Sequence, residues 1–230
     1  MPAFLSDSQA TRLRKAVKRY KGKVKLRKPW TKWTDEELLR KVLGQVVVIG
    51  RAAPGERLQH DRKIASKVSV RKLRGFRNGA ALQRYLHKLF AKLKVRYVGN
   101  NWKKDWKAEA SVRNFRTLMA AGGPSQFFRD VASRKSEEER IEALQKALKR
   151  YGNKGARDTL IELRLAENCM ALDTRIFGVL KKVGVKVSPD DIYKQVEREL
   201  REKVAEPLGI QAALLDRILF RKYDEILKQL

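Results

Sequence analysis

Cysteine is almost missing from this chain. A single Cys169 among 230 residues excludes an internal disulfide. With only two histidines, His60 and His87, it also excludes a cysteine-ligated iron–sulfur cluster or a structural zinc site. No metal and no cofactor is therefore expected. Long hydrophobic runs are missing as well. The longest, Val46-Val47-Val48-Ile49, falls far below the roughly 18 to 20 residues that cross a bilayer, so no membrane association through a span is expected. Residues 1–10 carry no basic flank followed by an apolar stretch, so no export signal is read and a cytoplasmic place is expected, on the nucleoid of a prokaryote or in a eukaryotic nucleus. Acids are scarce relative to bases: 26 Asp and Glu face 54 Lys and Arg, a formal net charge of +28. A field of that sign points to polyanionic partners, nucleic acid before an anionic membrane surface.

The charge is also unevenly spread. Residues 1–34 hold eleven basic residues and one acid, Asp7, and residues 1–33 read as a basic N-terminal arm or a basic helix. Between Arg62 and Arg116 only Asp105 and Glu109 oppose the bases, whereas Lys186 to Leu230 balances nine bases with nine acids. Solubility alone requires no such gradient, so contact with nucleic-acid phosphates is the better reading.

Periodicity is helical. Thr34 precedes Asp35-Glu36-Glu37 and then Leu38, Leu39, Val42, Leu43 and Val46, which is a cap, an acidic first turn and an i, i+3, i+4 apolar stripe. Similar stripes run through Leu82 to Leu93, Val112 to Met119, Ile141 to Leu148 and Leu160 to Leu165. Ala53-Pro54-Gly55, Gly99-Asn100-Asn101, Gly122-Gly123-Pro124 and Tyr151-Gly152-Asn153 punctuate them. No segment alternates with the period of a strand, so the fold class expected is all-α: helical lobes after the arm, with 34–230 as one domain. Trp30, Trp33, Trp102 and Trp106 read as helix-packing residues ahead of base-stacking platforms, and Cys169 as a small buried hydrophobe.

Two neighbouring stretches carry the chemistry. Leu148-Lys149-Arg150-Tyr151-Gly152-Asn153-Lys154-Gly155-Ala156 is a short turn with two glycines between helices. Such a turn offers backbone N–H groups at a helix start, which suits a phosphate, although a Gly-containing helix connection is common in any helical protein. Nineteen residues past Lys154, Asp173-Thr174 opens an amphipathic helix with Ile176, Val179, Leu180 and Val183 on one stripe.

Here the chain resembles the helix-hairpin-helix base-excision DNA glycosylases, the superfamily of endonuclease III and the 8-oxoguanine DNA glycosylases. The family hairpin L-P-G-V-G-x-K-x-A meets L-K-R-Y-G-N-K-G-A at 148–156. The family's V-D-T-H-I-x-R-V meets L-D-T-R-I-F-G-V at 172–179, at the spacing from the lysine that the family uses. Leu38 to Gln45 is similar to the family's early helix ending in L-S-x-Q. The chain departs from that pattern where Lys149 and Arg150 replace the hairpin's proline and first glycine, where Arg175 stands for a common His, and in lacking the cysteine cluster of endonuclease III.

The resemblance implies a helix-hairpin-helix at about 141–166 and a catalytic-aspartate helix from residue 173. It implies a repair enzyme acting on duplex DNA that carries a damaged base or an abasic site, and a monomer suits an enzyme that wraps a kinked duplex. The base would be flipped into a pocket. Lys154 would then be the nucleophile at C1′, forming a Schiff base that permits strand cleavage. Asp173 would stabilise positive charge growing on the sugar, or promote attack by water if Lys154 only binds phosphate and the enzyme is monofunctional. Asp173 also reads as an ordinary N-cap, a role compatible with catalysis. Gln45 would fill the gap left by the flipped base or simply bond backbone at a helix end. Arg150, Gly152, Asn153, Gly155 and Arg175 would contact DNA, while Tyr151 would stack on the nucleotide or pack the hairpin. A non-catalytic helical binder of nucleic acid shares the charge and the hairpin but has no need of a carboxylate at Asp173. A helix-turn-helix regulator would need a recognition helix that the pattern does not favour.

Overall fold

The computed structural model describes residues 4–185 and 193–230; the first residues of the charge-balanced C-terminal stretch, 186–192, lie outside them. Among the described residues the regular structure is helical, with no strand, as the periodicity requires. In chain order the α-helices are α1 (Asp7–Lys18), α2 (Asp35–Val47), α3 (Ala53–His60), α4 (Arg62–Ala65), α5 (Val70–Arg74), α6 (Gly79–Lys92) and α7 (Trp106–Ala120). They continue as α8 (Pro124–Ala132), α9 (Glu137–Ala147), α10 (Asn153–Leu163), α11 (Thr174–Lys182), α12 (Tyr193–Leu200), α13 (Ala212–Arg221) and α14 (Tyr223–Leu227). Two compact units result: Pro29–Gly155, and a unit built from both chain ends, Met1–Lys28 with Ala156–Leu230. Among the described residues no helix is long and apolar enough to cross a membrane.

The Pro29–Gly155 unit is organised around α2. Thr34 and Glu37 close a capping box at its start, satisfying first-turn N–H groups that have no partner inside the helix. Leu38, Leu39, Val42, Leu43, Val46 and Val47 are fully buried beneath α3, α7 and α8, which pack on it. Ala53-Pro54-Gly55 does not separate two helices as its composition suggests; it begins α3, with Pro54 in the first turn, where a missing N–H costs nothing. A side chain at Gly55 would collide with Val48, so the glycine permits the close approach of α3 to the end of α2. Gly122 and Gly123, by contrast, do break the chain, at φ of +92° and +126°, backbone that only glycine adopts without strain.

Lys107 is wholly buried. Its Nζ donates to the carbonyls of Val47 at 3.1 Å and Ile49 at 2.6 Å, so a lysine on α7 caps the C-terminal end of α2. Loss of water pulls its pKa down to about 8, against a weaker upward pull from Asp105. The folded protein therefore binds fewer protons at this site than the unfolded chain between pH 8 and the ordinary lysine value of 10.5. Stability contributed here rises with pH through that window. Relative to Lys107→Met, wild type should gain on the order of 2 kcal/mol between pH 8 and pH 10 in urea titrations.

Of the two readings of residues 1–33, an arm or a basic helix, the structure gives a helix, α1, and places it in the two-ended unit. Ser6 and Gln9 form a capping box for α1, and Leu5, Ala10, Leu13, Ala16, Val17, Tyr20 and Val24 are buried in one core with residues of α11 to α14. Arg12, Lys15 and Lys18 stay exposed on the opposite face. The backbone N–H groups of Phe4 and Leu5 are accepted by Glu199. The division at residue 33, with a single domain after it, gives way to boundaries after Lys28 and within α10, because the apolar stripe of α1 needs a core and finds it in the C-terminal helices.

Candidate functional site

The hairpin lies in the Pro29–Gly155 unit. Helix α9 ends at Ala147, Leu148 is extended, and α10 begins at Asn153. Arg150 adopts φ of +66°, the left-handed conformation that costs a residue with a side chain roughly 1 kcal/mol. The special backbone thus falls at the position where the resembled hairpin carries its first glycine. Arg150 keeps it while its guanidinium lies 4.6 Å from the centre of the Trp106 ring, a contact of about the same worth.

Two residues anchor this turn from outside. Asn114, wholly buried on α7, donates from Nδ2 to the Lys149 carbonyl at 3.1 Å and accepts the Lys149 N–H at 2.6 Å, so its amide reads the turn as a paired strand would. Tyr151 is buried, and its hydroxyl donates to the Val42 carbonyl at 3.3 Å. Asn114→Leu should destabilise the unit by roughly 1–3 kcal/mol in urea unfolding, and amide hydrogen exchange at Lys149 should quicken.

Gly152 is open, with nothing within 4 Å of the space a side chain would occupy. Backbone at the entrance of α10 is therefore accessible to a bulky anion, and first-turn N–H groups there have no partner within the helix. Asn153 accepts a hydrogen bond from Gln145 at 2.9 Å. Lys154 is half-buried in that first turn, and among the described residues its amine has no hydrogen-bonding or ion-pair partner. Gln45, buried near the end of α2, brings its Oε1 to within 3.8 Å of where a side chain on Gly155 would begin. The early-helix glutamine and the lysine turn, far apart in sequence, are thus neighbours.

Beside the turn runs an open trough of about 910 Å³. Arg113 and Arg116 from α7 form one wall, Lys146, Lys149 and Arg150 the other, and no carboxylate is among the lining residues. Arg113 also pairs with Glu109 at 3.0 Å, an exposed i, i+4 contact worth a few tenths of a kcal/mol. Such a channel concentrates positive potential along its length. Arg113, Arg116 and Asn114 escaped the sequence reading, although Arg113 and Arg116 sit at i, i+3 spacing on the face of α7 opposite Val112, Phe115 and Leu118.

In the two-ended unit Asp173 is the N-cap of α11. Its Oδ1 accepts the N–H groups of Arg175 and Ile176, both at 3.0 Å. Oδ2 has no hydrogen-bonding partner among the described residues, and the side chain is half-exposed. One oxygen therefore caps while the other remains available. Arg175 lies over the Phe220 ring at 4.3 Å and donates to the Phe220 carbonyl at 3.2 Å, so its guanidinium is engaged in packing. Cys169 is buried.

No protein-family model matches this chain, and no curated protein sequence matches it. Solved structures do. The 8-oxoguanine DNA glycosylase of Thermotoga maritima aligns with a TM-score of 0.62 at 20% identity, covering 93% of this chain and 87% of its own. The 8-oxoguanine glycosylase/lyase of Methanocaldococcus jannaschii, in complex with a 15mer DNA containing 8-oxoguanine, aligns at 0.61 and 18% identity over 93% and 88%. A further structure, of the Methanocaldococcus jannaschii 8-oxoguanine DNA glycosylase, aligns at 0.59 and 18% over 93% and 85%. The chain has the all-helical fold of these glycosylases.

Proposed function

From that fold, we propose that this protein is a base-excision DNA glycosylase with abasic-site lyase activity, and that its substrate is an oxidised purine of the 8-oxoguanine type in duplex DNA. One observation carries the reading: on a fold shared with 8-oxoguanine glycosylases over 93% of the chain, an unpartnered lysine opens the hairpin helix and an aspartate with a spare oxygen caps α11.

Each residue has a task. Duplex phosphates lie along the Arg113, Arg116, Lys146 and Lys149 trough and on the open backbone at Gly152, which accounts for sequence-independent affinity with steep salt dependence. The damaged nucleotide leaves the stack, and Gln45, packed against Gly155, belongs to the wall of its pocket. The Lys154 amine then bonds to C1′ as the glycosidic bond breaks. The base departs with the bonding electrons and takes up a proton. Opening of the sugar at O4′ leaves a protonated Schiff base, and loss of a C2′ proton expels the 3′ phosphate, cutting the strand. The Asp173 carboxylate stabilises positive charge on the sugar. The enzyme acts as a monomer.

The test is an assay of wild type on duplexes with a single 8-oxoguanine, reading base release, and on abasic duplexes with borohydride, reading covalent trapping. Release together with an adduct supports the proposal. Binding without either would leave a nucleic-acid-binding protein on a glycosylase fold.

A further inference from the structure

The segment before Asp173 has no regular structure from Cys169 to Leu172, yet all four residues are buried. Buried backbone N–H groups outside helices need partners from elsewhere. Here three consecutive ones are taken by three side chains. The Met170 N–H donates to Glu197 Oε1 at 2.6 Å, the Ala171 N–H to Asp216 Oδ1 at 2.7 Å, and the Leu172 N–H to the Tyr193 hydroxyl at 2.7 Å. That hydroxyl donates in turn to the Met170 carbonyl at 2.9 Å.

Each acceptor is itself held. Arg157 grips Glu197 with Nε at 2.9 Å and Nη2 at 3.1 Å and lies 4.9 Å from the centre of the Tyr193 ring. Arg217 meets Asp216 at 3.1 Å and Asp158 at 2.7 Å. Arg157, Asp216 and Arg217 are all at least nineteen-twentieths buried. Buried ion pairs rarely repay their desolvation, and apolar replacements are often as stable or more so. What this one supplies is a defined path for four residues that end directly at the aspartate.

We infer that Tyr193, Glu197 and Asp216 are positioning residues for Asp173, fixing the backbone that enters its helix so that the spare carboxylate oxygen keeps one place. The inference rests on the proposed glycosylase reaction. Asp216 is also coupled to the site by charge. Desolvation pushes it up to about 7, Arg217 and the Ala171 N–H oppose this, and Asp158 from α10 and Asp173 itself add to it; Asp216 in turn acts on Tyr193. As an anion Asp216 is the stronger acceptor for the Ala171 N–H, so the reaction gains rate as it ionises.

The experiment measures single-turnover base release from an 8-oxoguanine duplex, and affinity for the uncleaved duplex, for wild type, Tyr193→Phe and Asp216→Asn. Tyr193→Phe keeps the ring and removes one hydroxyl. It should slow release about tenfold or more, with affinity within about twofold. Wild type should gain rate as Asp216 ionises through about pH 7; Asp216→Asn keeps an acceptor but cannot ionise, and its profile should lack that rise. Rates and profiles unchanged in both variants would overturn the inference while leaving the glycosylase reading intact. A wild type that releases no base overturns that reading and this inference with it. Should Asp216→Asn fail to fold, the Tyr193→Phe rate and affinity decide alone.

Discussion

Lys154→Gln should lose the borohydride-trapped adduct and slow strand cleavage at an abasic site at least ~100-fold, a barrier increase of ~2.7 kcal/mol. Gln keeps a polar side chain, one atom shorter, but has no amine to bond C1′. Because the wild-type amine has no partner among the described residues and is only half-buried, the substitution removes no native contact. Unfolding free energy should therefore stay within the range of a neutral surface change, about 0.5 kcal/mol. Single-turnover base release should fall along with trapping if the amine itself displaces the base. Base release retained without any adduct would make water the nucleophile and leave Lys154 as a phosphate contact. Gel assays of the adduct and a separate assay of freed base distinguish the two outcomes.

Asp173→Asn separates the two roles of that residue. Asparagine caps a helix about as well as aspartate, so the bonds to the Arg175 and Ile176 N–H groups survive and stability should change by only a few tenths of a kcal/mol. The negative charge is lost, and with it the stabilisation of a positively charged sugar. Base release should drop about 10²–10³-fold, the range for removing one well-placed electrostatic group. Asp173→Ala removes cap and charge together and should cost about 1 kcal/mol of stability besides. A residue that served only as a cap would show the reverse order: Asn fully active, Ala impaired. Urea unfolding beside single-turnover kinetics on all three proteins settles which order holds.

Much was legible without coordinates because it depends on local rules. The helices at Leu38 to Val46, Leu82 to Leu93 and Val112 to Met119 follow from apolar stripes at helical spacing, and the Thr34 and Asp173 caps from side chains suited to first-turn N–H groups. The spacing of Lys154 to Asp173 survives in sequence because hairpin and aspartate helix are close along the chain. In residues 1–33 local reading reached a basic helix as one alternative but not its burial. Their charge dominates the composition, so the stripe of Ala10, Leu13, Ala16 and Val17 passes for the filler of an arm. Only contact with helices nearly 200 residues away shows it to be a core face.

By itself, then, the sequence determined the helical class, a net charge of +28, and a lysine and an aspartate whose spacing resembles that of the helix-hairpin-helix glycosylases, since composition, periodicity and spacing are properties of a line. Tertiary structure alone decided what depends on desolvation and on pairs distant in sequence. It made Lys107 a buried cap with a pKa near 8 and bolted the lysine turn to Asn114. It also surrounded the approach to Asp173 with Tyr193, Glu197 and Asp216. Whether a charged side chain is solvated or buried against a backbone N–H is set by which surfaces fold over it, and nothing in its neighbours along the chain records that.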